Sequence, residues 1–88
     1  MQIEFDPKKA KENLRKHHVH LADAEQISRD PMALTIEDPE SEGEQRFITL
    51  GMDTTGKILV VVYTYRGESI RLISARKASK TEMEMYHA

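Results

Sequence analysis

The stretch KILVVVYTYRGESIRLISARK, residues 57–77, decides how this chain folds. Residues 57–65 are apolar on both faces, as a strand in the middle of a sheet has to be. RGES, residues 66–69, supplies a turn, and residues 70–77 alternate as the partner strand. Strict alternation puts Ile70, Leu72, Ser74 and Arg76 on one face, and Arg71, Ile73, Ala75 and Lys77 on the other. A strand interior normally excludes charge, so the three cations Arg71, Arg76 and Lys77 raise the question of what they hold.

Reading outward, residues 46–52 (RFITLGM) alternate as a further strand, joined to residue 57 by the tight connection DTTG. Residues 33–36 are a short strand, followed by the acidic loop EDPESEGE, residues 37–44. At the N-terminus, IEF is a short strand candidate. Asp6-Pro7 has the form of a helix start, Asp as N-cap and Pro where its missing N–H costs nothing. A helix is expected to about Lys16, with Ala10, Asn13, Leu14 and His17 on one face. Leu21, Ala24, Ile27 and Ser28 suggest a second short helix, ended near Asp30-Pro31 because the residue before proline is pushed out of the helical region. Ser79 to Glu82 is a capping box that opens a last helix through Tyr86. The expected architecture is α+β: two N-terminal helices, an antiparallel meander of about four strands and a short C-terminal helix.

The chain has 88 residues, enough for one domain with one modest core, and no cofactor-sized cavity is expected. It contains no cysteine, which removes disulfides and Cys-based metal sites and fits a reducing cytoplasm. MQIEFD is not a basic leader with an apolar core, and the longest apolar run, six residues, is far short of a membrane span. Net charge is -2, but its distribution matters more: residues 1–45 carry -5 and residues 46–88 carry +3. Five acids fall within residues 37–44.

Three segments, FDPKKAKENLRKHHV, DPMALTIEDPESEGEQRFITLG and VVVYTYRGESIRLISARKASKTEMEMY, taken in this order, resemble the BrnT family of bacterial type II toxins. The most specific pieces are Asn13 with Lys16-His17, and IRLISARKAS followed by a Glu and a Tyr. The resemblance implies a fold similar to RelE-type ribonucleases, RNA cleavage that inhibits translation, and neutralisation by a BrnA-like ribbon-helix-helix antitoxin. Contact with operator DNA would come only through that antitoxin. His18 departs from the family, which commonly has Gly after Lys-His.

Metal-free RNA cleavage uses the ribose 2′-hydroxyl as nucleophile. The protein must move two protons and neutralise a phosphorane, and an arginine fork suits the last task. On the strength of the resemblance, Arg76 ranks first for this role, then Arg46 and His17, with Lys16, Arg66, Arg71 and Lys77 as supporting RNA-binding cations. Simple strand order places Arg46 at the start of one strand and Arg76 at the finish of a parallel-running one, toward opposite ends of the sheet. The competing reading is that these cations protect an exposed strand edge, and that the chain is an interaction module acting with its antitoxin as a co-repressor. His17, His18 and His20 form a poor metal-ligand set. Tyr63 and Tyr65 share a strand face and read as sheet core before base-stacking platforms.

Overall fold

The computed structural model describes residues 2–88. In chain order the elements are β1 (Gln2–Glu4), α1 (Pro7–His17), a 3₁₀ helix (Leu21–Arg29), β2 (Leu34–Glu37), β3 (Phe47–Met52), β4 (Ile58–Arg66), β5 (Ser69–Lys77) and α2 (Lys80–Tyr86). The five strands form one sheet in the order β1-β5-β4-β3-β2. The antiparallel sheet of about four strands expected from sequence is therefore incomplete. β1 joins as a fifth strand, parallel to β5, pairing Gln2, Ile3 and Glu4 with Ser69, Ile70 and Arg71. Three residues are too few to show a strand period on their own, so IEF could be seen as a candidate but not placed.

A second correction concerns β5. Val62 pairs with Ser74 but Tyr63 with Leu72, so Ile73 is an extra residue in the ladder, a β-bulge. The bulge shifts the phase of the strand. Ile70, Leu72, Ala75 and Lys77 lie on one face, and Arg71, Ser74 and Arg76 on the other, since they oppose Thr64, Val62 and Val60. Leu72 and Ala75, three apart, are both buried.

The 3₁₀ helix covers the first face. Leu21, Ala24 and Ile27 recur every three residues, so in a helix of three residues per turn they form one straight stripe, and all three are buried against Leu59, Val61, Leu72 and Ala75. Gly51 permits this approach: a Cβ there would sit 2.9 Å from the Cβ of Ile27. Across the sheet, α2 covers half of the second face, Tyr86 packing with Leu50, Ile58 and Val60. Its capping box is complete, Ser79 accepting from the Glu82 N–H and Glu82 from the Ser79 N–H. The hydroxyl of Tyr86 donates to Asp30, which lowers the carboxyl's affinity for a proton and raises that of the phenol.

α1 starts as its sequence demands, Asp6 accepting from the Lys8 N–H with Pro7 in the first turn. Its inner face holds the expected Ala10, Asn13 and His17 but not Leu14. Leu14 is exposed, and the buried residue is Asn13. The Asn13 amide accepts from the Ala75 N–H at 2.9 Å and donates to the Ala75 and Val19 carbonyls, each at 2.8 Å. One side chain thus performs the hydrogen bonding of a neighbouring strand.

Candidate functional site

The half of the second face that α2 leaves open carries three of the sequence-selected cations, Arg46, Arg66 and Arg71. Its middle row, Ile36, Ile48, Val62 and Ser74 paired across four strands, is apolar except for Ser74. The next row runs from Arg46, whose backbone carbonyl accepts from Asp38, through buried Thr64 to Arg71 and Glu4. Each arginine in it is held by an acid on its outer side, Arg46 by Asp38 at 3.3 Å and Arg71 by Glu4 at 3.9 Å. Arg46 Nε is buried without a hydrogen-bond partner, so its guanidinium is incompletely satisfied.

Arg76 lies on the same face but farther along the strands. It sits opposite Val60, whereas the Arg46 row crosses Thr64. Four residues of strand are about 13 Å, and the two intervening strand spacings add about 10 Å across. Arg66, opposite Ser69, is six β4 residues from the Arg76 row, about 20 Å. It pairs with Glu44 at 3.5 Å. Lys77 opposes Leu59 and therefore belongs to the other face. It borders a groove with His18, His20, Asp23 and Asp53. The selected residues thus divide into an Arg46/Arg71 row with Arg66 beyond it, an Arg76 group, and an isolated Lys77.

Lys16 and His17 stand on α1, beside β5. α1 runs along the outer side of β5, and Lys9, Glu12, Lys16 and His17 border a shallow groove of about 200 Å³ with Ile73 and Ser74. Ser74 shares its face with Arg76, two residues on. Lys16 reaches Glu12 at 3.4 Å. His17 is half-buried at the helix end.

Sequence reading treated Glu82 only as a helix cap. In the structure its carboxylate receives both arms of Arg76, at 2.7 and 2.9 Å. Those hydrogen bonds, with the Ser79 backbone N–H, pull the Glu82 pKa down to about 2 and raise that of Arg76. The signal available in the sequence was the short spacing, six residues, between the last strand's arginine and the capping-box Glu. Among the described residues, no group of three or more His, Cys, Asp or Glu is placed to hold a metal ion, and no helix is long and apolar enough to cross a membrane.

Phe47, Tyr63 and Tyr65 form one aromatic cluster on the opposite, helix-covered face, with ring centroids 5.3–5.9 Å apart. Tyr63 shares hydrogen bonding with Thr49 and, through it, Thr35. These tyrosines therefore lie across the sheet from the arginines.

The family described as "Ribonuclease toxin, BrnT, of type II toxin-antitoxin system" matches residues 5–82. Among solved structures, the chain is similar to the Brucella abortus ribonuclease toxin BrnT, at 26% identity and a TM-score of 0.69, covering 91% of this chain and 99% of that one. No curated protein sequence matches.

Proposed function

The chain belongs to the BrnT family of ribonuclease toxins of type II toxin-antitoxin systems, and from that premise we propose that residues 1–88 form one metal-independent endoribonuclease domain acting in the cytoplasm. Attack by the ribose 2′-hydroxyl on the adjacent phosphorus expels the 5′-oxygen and leaves 2′,3′-cyclic phosphate and 5′-hydroxyl ends. Arg76 is the residue we assign to the phosphorane. Its guanidinium is permanently charged, it stands at the mouth of the open face, and Glu82 fixes its plane. His17, which borders the same groove as Ser74, is the candidate to move a proton. Arg46 lies too far along the strands to share the reacting phosphate with Arg76. We assign it, with Arg71, to a flanking phosphate of the same RNA strand, with Lys16 and Arg66 as further phosphate contacts. Lys77, on the other face, falls outside this path. A BrnA-like ribbon-helix-helix antitoxin silences the enzyme and carries it to operator DNA.

The observation that carries this reading is that Arg46, Arg71 and Arg76 share one sheet face once the bulge at Ile73 is taken into account, with Arg76 at the α2 border of its open half. One observation favours the interaction-module alternative. Arg46, Arg66, Arg71 and Arg76 each have a carboxylate within 4 Å, and a neutralised arginine attracts phosphate weakly. The test is to incubate the antitoxin-free chain with end-labelled RNA in excess chelator, beside Arg76→Ala. Cleavage to cyclic-phosphate ends, reduced at least 100-fold in the variant, is the expected result. If neither naked RNA nor translating ribosomes are cut, the chain is a binding module.

A further inference from the structure

β2 borders the sheet, and no other strand pairs with its outer side among the described residues. All four of its residues are exposed, Leu34 at 46% and Ile36 at 60%. The ladder with β3 fixes which backbone groups are free. The Asp38 N–H donates to the Arg46 carbonyl at 2.8 Å. By the alternation of an antiparallel ladder, the hydrogen-bonded pairs are then Ile36 with Ile48 and Leu34 with Leu50, and the N–H and C=O of Thr35 and Glu37 point outward. Apart from its shortness and the charge of Glu37, β2 has none of the usual edge protections: it contains no Lys, Pro or bulge. An open edge carrying exposed Leu and Ile is a template for strand addition.

Charge selects the occupant. The chain continues from β2 into the acidic segment 37–44, in which Asp38 and Glu44 are paired with Arg46 and Arg66, while Glu37, Glu40 and Glu42 are exposed. RNA is repelled by such an edge. A second copy pairing through β2 would bring two acidic segments to one joint. An extended cationic chain finds donors, acceptors, apolar contacts and counter-charges together.

We propose that the β2 edge takes an extended, cationic segment of the antitoxin as a sixth strand, its main chain on Thr35 and Glu37 and its basic side chains against Glu37, Glu40 and Glu42. This rests on the reading of the chain as an antitoxin-controlled toxin. The test is residue-resolved amide hydrogen exchange on the free chain and on its complex with the co-expressed cognate antitoxin, with affinity measured for Glu37→Lys/Glu40→Lys/Glu42→Lys. At least tenfold slower exchange at the Thr35 and Glu37 amides in the complex is expected, with at least tenfold weaker binding by the charge-reversed chain at an unchanged unfolding midpoint. A complex in which both amides exchange as in the free chain overturns the proposal. So does protection of both amides in a free chain that has dimerised, which gives the edge to a second copy. Failure to form any complex removes the antitoxin reading and this inference together, while RNA cleavage by the free chain would still stand on its own assay.

Discussion

The outer backbone of β5 is taken up by three residues of β1 and one side-chain amide, whereas that of β2 is left open. The closed side is the cationic one, where α1 brings Lys9, Lys16 and His17 beside β5. The open side leads into acids. A sheet edge can therefore be finished without a full strand, provided a buried side chain supplies both a donor and an acceptor, as the amide of Asn or Gln does on two separate atoms. Asn13 does this from a helix, and its geometry ties α1, the Val19 turn and β5 into one unit. The first way to break the contrast is to remove that amide. Asn13→Ala strips partners from the Ala75 N–H, the Ala75 carbonyl and the Val19 carbonyl, and buried backbone groups left unpaired cost about 1–3 kcal/mol each before water enters. We expect a net loss of about 3 kcal/mol by urea denaturation and exposure of the Ala75 amide to exchange. A loss below about 1 kcal/mol would mean that the β5 edge does not depend on Asn13.

α2 crosses between the two sides, and each end of it is fastened by a carboxylate. Glu82 holds Arg76 on β5, and Asp30 holds the Tyr86 hydroxyl and the Met52 N–H on the β3 side. The Glu82 pKa falls from 4.5 to about 2, chiefly through its hydrogen bonds with Arg76. A carboxyl whose folded pKa is depressed contributes stability that is fully present above its unfolded pKa and lost as pH falls toward the folded one. The relevant window is therefore pH 4.5 down to about 2. Glu82→Gln should cost about 1 kcal/mol at neutral pH, a modest figure because Arg76 is 44% exposed and solvent screens the pair. It should also make the urea midpoint fall less steeply below pH 4.5 than in the parent chain. The slope will not vanish, since Asp30 and Asp53 are also held below their usual values. Equal slopes in parent and variant would remove Glu82 from the acid response.

The sequence made some parts of this fold legible because their signals are local. Asp6-Pro7 and the Ser79 capping box name their own helix starts, and the apolar run 58–63 names the central strand. What escaped depends on partners distant in sequence. The bulge at Ile73 leaves no mark except that Leu72 and Ala75, not Leu72 and Ser74, are the apolar pair, and reading strict alternation there put Arg71 and Arg76 on different faces. Asn13 was visible as a helix residue, but the group it satisfies lies 62 positions away. Arg46 and Arg76 could be assigned to opposite ends from strand direction alone, whereas their common face required the register. Lys77, by contrast, reads from alternation alone as lying on the face opposite Arg76, and the register keeps it there.

The finest adjustment on the closed side is at His18. It ends α1 in the left-handed conformation, with φ of 57°, and its N–H donates to the Leu14 carbonyl at 2.9 Å. That reversal delivers the Val19 carbonyl to Asn13. A Cβ in this region costs about 1–2 kcal/mol, and glycine, which adopts it freely, is the usual residue at this position of a helix end. Part of the gain from His18→Gly is offset by the greater freedom of glycine in the unfolded chain. The expected net effect is a stabilisation of about 0.5 kcal/mol, read as a higher urea midpoint at constant slope. RNA cleavage should be unchanged, because His18 borders the groove of Lys77 on the face away from Arg76. A destabilised His18→Gly chain would show that the imidazole contributes more through contacts in that groove than its backbone strain costs, and that the closed edge depends on His18 as well as on Asn13.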